Sequence, residues 1–137
     1  MTQEDKELLL KDLCMRLPYG VIADTPKGKG YVCDINLTIF GTEIGVNINP
    51  TVRDTFSIND VKPYLFPLSS MTEEQKQEYT YIMNYISPDD TDNWKEGEFI
   101  YVEQFTQLMH FYHINHLDYR GLIPMGLAED ATDKNIY

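Results

Sequence analysis

At 137 residues, with 42% hydrophobic and 12% aromatic residues, the chain carries the material for one hydrophobic core and lacks the sparse apolar content of a disordered segment. Its net charge of −11, from 22 acidic against 11 basic residues, disfavours direct nucleic-acid binding, because Lys and Arg stand singly apart from Lys27 and Lys29 where phosphate contacts need clusters. The acidic start MTQEDKELLLKD has no basic segment leading into an apolar core, and no apolar run reaches the about 18 residues of a spanning helix.

These features predict a cytoplasmic protein without membrane contact. An acidic surface could also imitate DNA, although charge of this kind chiefly keeps a domain soluble. Cys14 and Cys33 form no CxxC and are expected as buried small hydrophobes rather than as a disulfide or metal pair.

Thr2 with Asp5 makes a capping box for a first helix over Gln3–Arg16. Leu9, Leu10, Leu13, Cys14 and Leu17 mark its inward stripe, and Glu7, Lys11, Asp12 and Arg16 its wet face. Pro18 ends it. From Tyr19 the period changes to that of strands: YGVIAD, the turn PKGKG, then YVCDINLTIF, in which Cys33, Ile35, Leu37 and Ile39 alternate against Asp34, Asn36 and Thr38. The GKG is no phosphate loop, since GxxxxGK[ST] is absent and a strand follows it.

Gly41-Thr42 turns the chain into EIGVNIN, which completes an antiparallel meander, with a short fourth strand over Thr55–Ile58. Lys62–Leu68 sets two prolines around Tyr64, Leu65 and Phe66; this excludes a regular helix, suits a central strand poorly, and leaves either a cover over the core or a groove for an extended peptide.

Thr72 with Gln75, followed by Glu73 and Glu74, caps a second helix running to Ile86. Its stripe is Tyr79, Ile82, Met83 and Ile86, widened by Tyr81 and Tyr85. Ser87–Glu98 reads as a polar loop whose Asp89, Asp90 and Asp92 depart from calcium-loop spacing. A third helix is expected from Tyr101 or Val102 through Phe105, Leu108, Met109 and Tyr112, then a helical turn or two through Leu122, Ile123 and Met125. Residues 1–128 are expected to form one domain and 129–137 a polar, frayed tail.

The densest chemistry lies in Asn115–Ala128, where His116, Asp118, Tyr119 and Arg120 precede Gly121. His110, His113 and His116 are spaced by three, which turns each about 60° from the last on a helix, so neighbouring pairs could share an ion more readily than all three. His116 with Asp118 could act as a general-base pair. A nucleophile is missing: Ser57, Ser69, Ser70 and Ser87 lie in no GxSxG elbow. Structurally, Asp118 suits a cap for the next turn, Arg120 an acidic neighbour, and Tyr119 a packed ring with its hydroxyl at the rim.

KPYLFPLSSMTEEQ (Lys62–Gln75), NHLDYRGLI (Asn115–Ile123) and the opening LLLKDLCMRLPYGV (Leu8–Val21) resemble a set of small, acidic, uncharacterised proteins of Bacteroides-type gut bacteria and their phages and mobile elements. The resemblance implies a cytoplasmic accessory protein whose gene travels with mobile DNA, and it implies no activity.

The expected fold is α+β: an N-terminal helix, a three- to four-stranded antiparallel meander, then two longer helices packed on one face. The expected function is non-enzymatic interaction with a protein partner, with His116, Asp118, Tyr119, Arg120, Tyr64 and Phe66 as binding candidates and with no catalytic residue, metal or cofactor assigned. A homodimer through the wide face of the second helix is compatible with this. The alternative is a small metal-assisted or acid–base enzyme using His113, His116 and Asp118.

Overall fold

A computed structural model describes residues 1–49, 51–86 and 94–137. The fold is α+β, with an N-terminal helix, a six-stranded, mostly antiparallel sheet and two further helices. Helix α1 spans Gln3–Arg16, opened by the reciprocal Thr2–Asp5 box. A 3-10 turn over Leu17–Tyr19 contains Pro18, and Gly20 closes it in the left-handed region.

Strands β1 (Ile22–Thr25), β2 (Gly28–Thr38), β3 (Gly41–Asn49) and β4 (Val52–Ser57) form the expected antiparallel meander, now four strands wide. Two more strands extend it. β5 (Lys62–Leu65) pairs antiparallel with β1, and β6 (Glu129–Asp130) pairs parallel with β5, giving the order β4-β3-β2-β1-β5-β6. Pro63 is tolerated inside the sheet because β6 pairs with Tyr64 and Leu65 only, so its missing N–H faces no ladder on that side.

The alternation expected in β2 breaks at a bulge between Val32 and Asp34. An extra residue reverses which parity faces the core: Gly30 and Val32 are buried before it, and Ile35 packs against the core after it. Cys33 is thereby turned to solvent, and Cys14 is also exposed, so neither is the buried hydrophobe expected of it. Gly30 is required where β2 passes β3, since a Cβ there would lie 2.3 Å from the Asn47 carbonyl oxygen. The turn into β3 falls on Ile39 and Phe40 rather than on Gly41-Thr42, for Thr38 pairs with Gly41. Gly41 takes the positive φ of 121°, and the Thr38 hydroxyl accepts from Phe40 N (3.2 Å) and donates to the Gly41 carbonyl (2.9 Å).

Helix α2 spans Glu73–Ile86, with Thr72 and Gln75 exchanging cap hydrogen bonds of 2.9 and 3.2 Å. Helix α3 spans Trp94–Ile114, so residues 94–98 of the expected loop are helical and the helix starts earlier than Tyr101. The acidic trio Asp89, Asp90 and Asp92 lies outside the described residues.

Two hydrophobic clusters result. Leu9 and Leu13 of α1 cover the sheet through Val21, Ala23, Ile44, Val46 and Leu65. The later helices do not join this layer as expected: Ile82, Leu108, Phe111 and Tyr112 pack with Leu117, Phe66 and Met71 into a second cluster. In place of helical turns, Leu122–Leu127 forms hydrogen-bonded turns, with Leu127 N donating to the Leu122 carbonyl at 2.9 Å. The stretch 129–137, expected to be frayed, is held at three points: β6 joins the sheet, Ala131 is buried with its N–H on the Leu65 carbonyl (2.8 Å), and the Tyr137 hydroxyl is hydrogen-bonded as described below, while residues 132–135 between them are exposed. Among the described residues no helix is long and apolar enough to cross a membrane.

Candidate functional site: a buried ionic knot

The inward stripe of α1 is Leu9, Asp12, Leu13 and Arg16, so two charges expected in water are wholly buried. The helix explains the pairing, because positions four apart share one face. Arg16 Nε donates to Asp12 Oδ2 at 2.7 Å, both side chains being 0% exposed, and Arg16 Nη2 donates to the Leu117 carbonyl at 2.7 Å. From the other side Arg120 Nε reaches 3.3 Å from Asp12 Oδ1, an ion-pair distance without hydrogen-bond alignment. The Tyr119 ring lies within 5.3 Å of the Arg16 guanidinium carbon and 5.0 Å of that of Arg120, where its negative face is attractive to both.

The histidines go to separate partners. His113, 3% exposed, shares a 2.8 Å hydrogen bond between Nε2 and the Tyr119 hydroxyl. Burial, then the charges of Arg16 and Arg120, push its pKa down to about 4. His116 sits at φ 53°, in the left-handed region. Its ring stacks on Tyr137 at 3.6 Å and 8°. Its Nδ1 is buried without a hydrogen-bond partner, and burial with nearby Arg16 again lowers the pKa to about 4. His110 is exposed, with Nδ1 3.1 Å from the Tyr19 hydroxyl. Asp118 turns away from all three, its two oxygens accepting from Leu122 N (2.8 Å) and Ile123 N (2.9 Å). The His116–Asp118 base pair is therefore not formed, and among the described residues no group of three His, Cys, Asp or Glu could hold a metal ion.

Phe66 joins the knot through the main chain: its N–H donates to the His116 carbonyl and its carbonyl accepts from Asp118 N, both at 2.8 Å. The Phe66 ring is 6.0 Å from that of Tyr137. The Tyr137 hydroxyl donates to the Tyr64 carbonyl (2.8 Å) and accepts from Ile22 N (3.0 Å), and desolvation raises its pKa to about 12. His116, Asp118, Tyr119, Arg120 and the Phe66 main chain thus meet at this junction, whereas Tyr64 reaches it only through its carbonyl, its ring lying 5.7 Å from Lys134 Nζ. Leu8–Val21, Lys62–Gln75 and Asn115–Ile123 each contribute residues to it.

Sequence reading missed Asp12, Arg16 and Tyr137. The usable signal was an oppositely charged i, i+4 pair bracketing Leu13 on the same face as Leu9. Chemically the junction holds one carboxylate between two guanidiniums, flanked by imidazoles kept neutral at pH 7; Asp12 Oδ1, Arg16 Nη1, Arg120 Nε and His116 Nδ1 are buried there without a hydrogen-bond partner. It serves to tie α1, β5 and the C-terminal segment together. Asp118→Ala is expected to cost about 1–3 kcal/mol, read as a fall in the urea midpoint, with Asp118→Asn milder because one acceptor survives; an unchanged midpoint would show that the two amides find water instead.

Fold and junction together define an acidic α+β protein whose densest polar chemistry is internal. No protein-family model, curated protein sequence or solved structure matches the chain.

Proposed function

We propose that this chain is a non-enzymatic interaction protein whose contact element is the tip of the β2–β3 hairpin. The observation that supports this is the exposure of three large apolar side chains there: Leu37 at 76%, Ile39 at 94% and Phe40 at 89%. A two-residue turn ordinarily selects Asn, Asp or Gly, so Ile and Phe at both turn positions gain the fold nothing. Each would release about 1.5–3 kcal/mol on burial against a partner, and a clustered apolar tip held by a β-ladder is pre-organised to enter a recess.

The partner is a protein; the surface charge of −11 favours one with a basic rim. The resemblance adds the reading of a cytoplasmic accessory protein whose gene travels with mobile DNA, and a host or phage protein is the partner that the acidic surface and the excess of tyrosines suggest. In this reading Tyr64, Phe66, His116, Asp118, Tyr119 and Arg120 hold the scaffold rather than the partner.

The test is the double variant Ile39→Asp/Phe40→Asp. Its melting temperature should stay within about 2 °C of wild type, because both side chains lie outside the core. Crosslinked partner captured by the wild-type chain from its native cell should be lost. Identical capture by wild type and variant would overturn the assignment of the tip.

A further inference from the structure

Residues 131–137 form a strap that leaves β6 and brings Tyr137 to the end of the β1–β5 pair. Those strands are in register as Asp24 with Lys62 and Ala23 with Pro63. One step on, Ile22 and Tyr64 lie outside the ladder, and the Tyr137 hydroxyl bridges them, accepting from Ile22 N (3.0 Å) and donating to the Tyr64 carbonyl (2.8 Å). The ring fills a slot walled by the His116 imidazole, stacked at 3.6 Å and 8°, with the Phe66 ring 6.0 Å away. The slot is thus built around a phenol, and its occupant shows the chemistry it takes.

The rest of the strap is held locally. Thr132 N donates to Asp130 Oδ1 (2.9 Å) and Lys134 N to the Ala131 carbonyl (3.2 Å). Residues 132–135 are exposed, and Asp133 and Asn135 sit at φ 60° and 51°, a left-handed conformation that L side chains rarely adopt. Tyr137 is 44% exposed, so its slot opens at the surface. The para carbon of its ring leads into the strap, whose Asn135 and Ile136 wall a groove of about 340 Å3 together with Ile22, Tyr31 and Ile48. That groove has room for an alkyl substituent.

We propose that the slot is a binding site for small para-alkylphenols, which Tyr137 occupies as a tethered competitor, so that a free phenol and the strap exclude one another. The ligand oxygen must donate once and accept once while its ring stacks on His116. A neutral phenol does both, whereas an aryl ether, an ionised carboxylate or a hydrocarbon cannot donate to the Tyr64 carbonyl. Ile22 pairs with Tyr31, at the end of β2 opposite the hairpin tip, so the site does not depend on the role assigned to the tip.

The experiment is an NMR titration of the full chain and of its Tyr137→Gly variant with para-cresol, the tyrosine side chain as a free molecule. Toluene and para-methylanisole are the comparators that lack the donor. In Tyr137→Gly, para-cresol should saturate below about 10 mM, shift the Ile22 amide and the His116 and Phe66 rings, and raise the melting temperature. Toluene and para-methylanisole should bind about tenfold more weakly. The wild-type chain should bind para-cresol at least about tenfold more weakly than Tyr137→Gly, because the strap must first leave. Tyr137→Phe keeps the stacked ring without the bridging hydroxyl; it should fall between the two, and it carries the test if Tyr137→Gly does not fold. The proposal is overturned if para-cresol saturates neither variant, if the comparators bind as tightly as para-cresol, or if wild type and the variants bind it alike.

Discussion

Replacing Asp12 by leucine should destabilise the protein by about 3–5 kcal/mol, the largest effect of any single substitution at the junction. Asp12 and Arg16 are both 0% exposed at 2.7 Å. Without the carboxylate, Arg16 keeps one bond to the Leu117 carbonyl and otherwise stands as a buried charge, with its Nη1 already lacking a hydrogen-bond partner. Arg120 loses its close carboxylate as well. A buried pair is costly to break and cheap to replace as a unit, so Arg16→Met added to Asp12→Leu should restore at least half of the loss. Equilibrium urea unfolding of the two single variants and the double variant reads this directly. A loss below about 1 kcal/mol for Asp12→Leu would mean that water reaches the pair.

Lowering the pH from 7.5 to 5 should weaken the fold steeply, at up to about 1.4 kcal/mol per pH unit for each of His113 and His116. Both titrate at about 4 in the folded chain, against about 6.5 when unfolded. As pH falls through about 6.5 the unfolded chain takes up protons that the native one refuses, so stability is full above that pH and drains away until about 4, where the folded form protonates too. Asp34 and Asp130, held below the usual carboxylate range by Arg53 and by Thr132 respectively, lose their contribution only at lower pH. Urea midpoints between pH 7.5 and 5 therefore isolate the histidines. His116→Asn suits the left-handed backbone at this position and should remove about half the slope. A flat wild-type profile would show that the junction accepts protons without opening.

The parts of this fold legible in the sequence are those fixed by local rules. The Thr2–Asp5 and Thr72–Gln75 caps placed two helix starts, and the capping of a turn by Asp118 followed from carboxylate chemistry ahead of a break in the helix. Misreadings arose where tertiary context overrode a local pattern. On α1 the rule that charges face water rotated the helix by about one residue, putting Cys14 inside and Asp12 and Arg16 outside. On β2 a single bulge put Val32 inside and turned Cys33 to solvent, while Ile35 beyond it keeps the inward face expected of it. Strand β6 is too short to show a period of two, and its pairing with β5 depends on where a chain end lands. The role of Tyr137 had no local signature, because its partners Ile22, Tyr64 and His116 become neighbours only in the finished fold.

Arg16 is satisfied by a carbonyl 101 positions downstream, and Ile22 N by a hydroxyl 115 positions downstream. During synthesis α1 therefore emerges with a stripe containing two charges and nothing to enclose them, and must wait until the residues around Leu117 and then Tyr137 have cleared the ribosome. The early helix and meander can form on their own timescale, while the final closure is a long-range event of the slow kind. A nascent chain arrested before Leu117 would present an amphipathic helix whose apolar side is interrupted by an ion pair, a surface that water tolerates and that gives aggregation less to hold.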